Sequence, residues 1–116
     1  MAASDLRDQH CKPVAGDTPA LTASHVKELL AQLHADWVSD AAGGNISRTF
    51  RFGNYYQTMA FVNALAWIAH AEDHHPDIEV GYNRCVVRYS THSTGGLSEK
   101  DFICAAKIDA LLPASE

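Results

Sequence analysis

Apolar positions first become periodic beyond Thr22, where Val26, Leu29, Leu30 and Leu33 recur at i, i+3, i+4 and i+7. That spacing puts four side chains on one face of a helix. Thr22 suits its N-cap, because a hydroxyl can accept from an amide of the first turn that has no helical partner. Residues 1–20 carry Pro13, Gly16 and Pro19 without an apolar period and are expected to form a loose, irregular, flexible N-terminal arm. Past the helix, Trp37 and Val38 open an extended piece and Ala41-Ala-Gly-Gly-Asn45 reads as a turn. Residues 46–52 then set Ile46, Phe50 and Phe52 on one strand face, so the two pieces make a β-hairpin.

Gly53 interrupts the strand and Asn54 can cap a second helix, a stretch from 55 to about 74 with no Pro or Gly and abundant Ala, Leu and Met. Tyr55, Met59, Val62, Leu65 and Ala69 can line one face of this helix, while Phe61, Trp67 and Ile68 widen the stripe past half the circumference. A helix apolar nearly all round is expected to lie between a sheet and a partner subunit. Alternation at Ile78, Val80 and Tyr82 predicts a third strand, Asn83-Arg84 a turn, and residues 85–91, rich in Val and Tyr, a fourth strand. Ser98 and Asp101 form a capping box ahead of Phe102, Ala105, Ile108 and Leu112, a third helix that Pro113 ends. The expected fold is α+β: two layers, a four-stranded largely antiparallel sheet with three helices on one face, in the order α-β-β-α-β-β-α. Residues 21–113 make that domain.

Composition narrows the possible functions. The 116 residues suffice for one core but not two, and 47% hydrophobic with 20% charged residues is typical of a globular protein. No apolar run approaches a membrane span, and the start Met1-Ala2-Ala3-Ser4-Asp5 lacks the basic and apolar regions of a secretory leader, so a cytoplasmic protein without membrane attachment is expected. A net charge of −5 with scattered basic residues argues against direct nucleic-acid binding. Cys11, Cys85 and Cys104 are odd in number and widely spaced, which supports neither a disulfide framework nor a zinc ribbon. Cys85 and Cys104 fall in apolar patterns and are expected to be buried free thiols.

The candidate chemistry lies in His70-Ala-Glu-Asp-His74-His75-Pro76, at the end of the second helix. Pro76 disfavours helical geometry for His75, so the adjacent imidazoles leave the helix end in different directions. His10, His25 and His34 are expected to be solvated. His70 and His74 have the i, i+4 spacing of a shared metal site, but the zinc-protease pattern needs Glu after the first His, where Ala71 stands. Thr91-His92 ends a strand ahead of Gly95-Gly96 and offers a third imidazole on a rigid support. No G-x-S-x-G elbow exists, and neither Gly43-Gly44 nor Gly95-Gly96 has the context of a phosphate loop. Proton transfer, metal binding and a merely polar helix end all remain open on these residues alone.

His74-His75-Pro76, Tyr82, Ser90-Thr91-His92, Gly96-Leu97-Ser98 and Asp101, in this order and spacing, resemble the pterin-4a-carbinolamine dehydratases over about residues 21–112. The resemblance implies dehydration of 4a-hydroxytetrahydrobiopterin to quinonoid dihydropterin without metal or bound cofactor, and assembly into homodimers or homotetramers. It implies His74, His75 and His92 as catalytic residues, and Asp73, His74, His75, Ser90, Thr91, His92 and Ser93 as substrate contacts. His75 and His92 are expected to face the pterin most directly, with His74 assisting. It also implies a functional link to an aromatic amino-acid hydroxylase, phenylalanine hydroxylase, whose pterin cofactor would be recycled. Family relatives act instead as dimerisation or assembly cofactors, the alternative reading here. His70 replaces an acidic residue that many members carry, so a different pH dependence is expected.

Overall fold

The computed structural model describes residues 6–13, 18–40 and 44–112. Its elements are α1 (Ala23–Leu30), β1 (Val38–Asp40), β2 (Asn45–Arg51), α2 (Tyr55–Glu72), β3 (Asp77–Val80), β4 (Arg84–Tyr89), a 3-10 turn (His92–Thr94) and α3 (Glu99–Asp109). The order is the one the sequence predicts. The middle of the expected 41–45 turn, residues 41–43, and Pro113 lie outside the described residues. Thr22 caps α1, its hydroxyl accepting from the His25 amide at 3.2 Å, and Asn54 caps α2, its carbonyl accepting from the Gln57 amide at 2.9 Å.

All strand pairs are antiparallel and the sheet order is β1-β2-β4-β3. The β2–α2–β3 connection thus carries the chain past the position that β4 later fills. Register pairs Ile46 with Tyr89, Arg48 with Val87 and Phe50 with Cys85. Ile46, Phe50, Cys85, Val87 and Tyr89 are buried, so every second position of both central strands faces the helices, as the pleat dictates. Ile78 and Val80 share that face on β3 yet stay exposed. The two-layer α+β arrangement agrees with expectation.

α2 presents a different face from the one its apolar residues suggest. Thr58, Phe61, Leu65 and Glu72 are buried, Val62 and Ile68 pack against the core from its edge, and Tyr55, Tyr56 and Trp67 are exposed. Phe61 fixes the orientation, its ring centroid 4.5 Å from that of Phe50 and 5.1 Å from that of Phe52. A helix apolar all round carries little directional information, so aromatic packing on the sheet chose its face.

Asp109, at the end of α3, ties three parts of the chain together. Its carboxylate accepts from the Arg48 guanidinium at 2.7 Å, the Trp37 indole at 2.8 Å and the His34 amide at 3.0 Å. Arg48 lies 4.2 Å above the Phe50 ring and its side chain is nearly buried. Removing the carboxylate strands that cation, so Asp109→Ala is expected to cost about 3 kcal/mol, measurable by urea denaturation, while Lys27→Ala on the surface of α1 stays within about 0.5 kcal/mol.

Residues 6–13 have no periodicity to announce a packed segment, yet Leu6 is buried and Cys11 packs against the core. The Cys11 amide donates to Glu72 at 2.6 Å, the exposed His10 ring lies 2.9 Å from the same carboxylate, and Lys107 donates to the Arg7 carbonyl at 2.7 Å. Burial works against the Glu72 charge, but the Cys11 amide, His10 and Lys107 together hold its carboxyl below the usual range.

Candidate active site

The sequence predicts α2 to run to about His74; it ends at Glu72 instead. Asp73 adopts the left-handed conformation (φ 53, ψ 44), its amide donating to the His70 carbonyl at 3.3 Å, and the His74 amide donates to the Ala69 carbonyl at 3.1 Å. These two bonds close the helix as a Schellman motif, before Pro76 can act. The i, i+4 relation of His70 and His74 is therefore not held on one helical face. His70 is exposed, with its ring 5.4 Å from Trp67, whereas His74 turns inward. Glycine fits the left-handed position better than Asp73 does. Asp73→Gly is accordingly expected to leave stability unchanged or raise it by about 1 kcal/mol in thermal unfolding.

His74 is the most constrained of the three imidazoles. Its ring stacks on Tyr89 with centroids 5.3 Å apart, and Nε2 lies 2.6 Å from Oδ1 of Asp101, which is fully buried. The other oxygen of Asp101 accepts from the Thr91 hydroxyl at 2.9 Å and from the Ser98 amide at 2.9 Å. Ser98 Oγ completes the group 2.7 Å from Thr91 Oγ1. A carboxylate that accepts on both oxygens places the His74 proton on Nε2 and leaves Nδ1 as the uncommitted ring atom. Asp101 thus caps α3, as the sequence predicts, and also fixes the tautomer of His74. The phenol of Tyr89 is pushed well above its ordinary pKa by burial and then by Cys104, so it serves as a stacking surface and donates to the His74 carbonyl at 3.4 Å.

His75 and His92 are exposed. His75 comes directly after the Schellman motif, with Nδ1 3.3 Å from the Pro76 carbonyl oxygen. His92 starts the 3-10 turn, closed by Gly95 in the left-handed region (φ 72) and by a bridge between Thr91 and Gly96. Thr94 Oγ1 donates within the same loop to the Thr91 and Gly96 carbonyls. A rigid loop therefore presents an accessible ring.

Asp73, His74, His75, Ser90, Thr91, His92 and Ser93 line one cleft of about 270 Å³. These are all seven residues nominated from the sequence. Thr91 contributes to the wall although its hydroxyl is turned to Asp101. Asp77, Arg88 and Lys100 line the same cleft and were missed. Arg88 was legible in principle, since strand alternation puts it on the same side as Ser90. Lys100 was not, because its approach depends on how α3 docks. Among the described residues, no group of three His, Cys, Asp or Glu side chains is placed to hold a metal.

Residues 19–111 match the family model described as pterin 4 alpha carbinolamine dehydratase. The chain belongs to the pterin-4-alpha-carbinolamine dehydratase family. A relative from Nitrosomonas eutropha, provisionally named a pterin-4-alpha-carbinolamine dehydratase, is 60% identical over 108 residues, covering 93% of this chain and 94% of its own. One from Legionella pneumophila, named in the same provisional way, is 53% identical over 109 residues, covering 94% and 96%. Among solved structures, a transcriptional coactivator/pterin dehydratase from Brucella melitensis superposes with a TM-score of 0.77 at 33% identity, over 81% of this chain and 99% of that one. A pterin dehydratase-like protein identified as a RuBisCO assembly factor in the alpha-carboxysome gives 0.58 at 30% identity, over 67% and 90%. Proteins of this fold that resemble the chain thus include both a coactivator/dehydratase and an assembly factor.

Proposed function

We propose that this protein dehydrates 4a-hydroxytetrahydrobiopterin to quinonoid dihydropterin by histidine acid/base catalysis. The observation that carries the reading is the meeting in one cleft of two accessible imidazoles, His75 and His92, with a third, His74, locked by Asp101 and Tyr89. The reaction breaks the C4a–O bond as a proton reaches the departing hydroxyl, and it removes the proton on N5. Imidazole ordinarily titrates near pH 6.5, so both its acid and base forms are at hand near neutrality. His75 and His92, from separate segments, supply and accept these protons, each contributing about 10²- to 10⁴-fold. His74 offers Nδ1 as an oriented acceptor, and Asp73, Ser90 and Ser93 supply polar contacts to the pterin. The test is dehydration of 4a-hydroxytetrahydrobiopterin followed by stopped-flow absorbance. Acceleration by the intact protein is expected; none would overturn the proposal.

The same reading places the protein in the cytoplasm as a homodimer or homotetramer, returning the pterin used by a hydroxylase such as phenylalanine hydroxylase. No helix of the described residues is long and apolar enough to cross a membrane. A role as a dimerisation or assembly cofactor is the second reading. It is favoured by the exposure of Tyr56 (80%) and Trp67 (68%) on α2, since large exposed aromatics are typical of contact surfaces. Light scattering with and without Trp67→Ser separates self-association through α2 from a monomer.

A further inference from the structure

We infer that Cys11 and Cys104 form a thiol–disulfide modification site that takes low-molecular-weight disulfides and fastens the N-terminal arm to α3. The two sulfurs are 93 positions apart in sequence and 3.6 Å apart in space. Cys104 is fully buried on α3, whereas Cys11 is half-buried in the arm, where a small oxidant meets it first. Cys85 is buried on β4, without a second sulfur in contact among the described residues. Closing 3.6 Å to the bond length of about 2.05 Å requires only a small shift. Rotation of the Cys11 side chain with a slight shift of its backbone can supply it, because Cys11 itself is held by its amide on Glu72 and its sulfur on the Lys100 carbonyl, while Leu6 keeps the arm packed on the core.

The exchange balances without any group beyond the oxidant. Cys11, as thiolate, attacks one sulfur of the small disulfide and expels its partner as thiolate, leaving a mixed disulfide on the arm. Cys104 then attacks Cys11 Sγ and expels the second small thiolate. The two protein thiol protons end on the two expelled thiolates; the protein is oxidised by two electrons and the small disulfide reduced by two. The order is set by access, since Cys11 is half-buried in the arm and Cys104 is fully buried behind it. The hydrogen bond between the sulfurs, and then burial, raise the Cys11 thiol and so slow the first attack without changing which sulfur the oxidant reaches. Cys104 Sγ also lies 3.9 Å from the carbonyl oxygen of His74, and the Cys11 amide binds Glu72, the last residue of α2. The lock therefore closes directly behind the segment that carries His74 and His75.

The test treats the full-length reduced protein with glutathione disulfide and maps tryptic peptides without reduction. The expected result is one intramolecular link joining the Cys11 and Cys104 peptides. It should come with a rise in thermal midpoint on the order of 10 °C, reversed by dithiothreitol. Cys104→Ala should trap glutathione on Cys11, and Cys11→Ser should abolish both the link and the rise. Free thiols at both positions after treatment of folded protein, a link through Cys85, or links only between molecules would overturn the inference. The peptide map of the unsubstituted protein decides even if Cys104→Ala fails to fold. None of these outcomes bears on the dehydratase reading.

Discussion

His92→Ala is expected to lower the dehydration rate by about 10²- to 10⁴-fold while leaving the fold almost untouched. The ring of His92 is exposed, and its loop is held by backbone and Thr94 bonds that the substitution spares. Stability should therefore change by less than about 0.5 kcal/mol. The loss should fall on kcat more than on KM, because a proton in flight is an interaction gained in the transition state. His75→Ala, exposed in the same cleft, should behave alike. Stopped-flow rates beside urea denaturation curves check both halves of the expectation. Full activity in His92→Ala would remove the imidazole on the separate segment from the mechanism.

Asp101→Asn should act from behind the cleft, disturbing His74 while leaving the two accessible imidazoles, His75 and His92, unaltered. The carboxylate accepts three hydrogen bonds, from His74, Thr91 and Ser98. An amide of the same shape has one oxygen and one NH₂, so it must set a donor against either the His74 Nε2–H or the pair from Thr91 and Ser98. Turning the amide nitrogen to His74 forces the imidazole into the other tautomer. Activity is then expected to fall about 10- to 100-fold, the usual cost of losing a partner that orients a functional histidine. Turning it the other way leaves the Thr91 hydroxyl and Ser98 amide opposed by a donor, at a stability cost of about 1–3 kcal/mol. Asp101→Ala incurs both losses. The reporter is the His74 ring in 15N NMR: a tautomer shift in Asp101→Asn marks positioning, and an unchanged ring with lost stability marks capping alone.

The fold was legible where one interaction decided each element. Thr22 and Asn54 announced their helices because capping is local, and Ile46 and Phe50 announced the inward face of β2 because alternation is strict, whereas β4 was legible only as a strand by its Val and Tyr content. The end of α2 was misplaced because Asp73 is not an obvious left-handed residue, and Pro76 offered a more visible stop. The inward face of α2 was misassigned because aromatic packing, not periodicity, set it. In the cleft, the histidines were legible as a spacing pattern. The carboxylate behind them was legible only as a cap, because its second role depends on a partner 27 positions away. The contacts of residues 6–13 left no trace in the pattern, since a backbone amide on Glu72 can come from any residue but proline.

The position of β4 between β2 and β3 also sets when this chain can fold. Until residue 89 has been made, β2 has only the three-residue β1 beside it and β3 has no neighbouring strand. Emerging from the ribosome, the first eighty residues hold a short hairpin and an apolar helix with no completed sheet to receive it. The Asp101 carboxylate arrives later still, on the last helix. Commitment to the native state is therefore late, long-range and slow relative to a helical bundle of this size. A chain halted before Glu99 would lack α3 and with it Asp101, the partner of His74, so the cleft acquires its fixed imidazole only after residue 101 has been made.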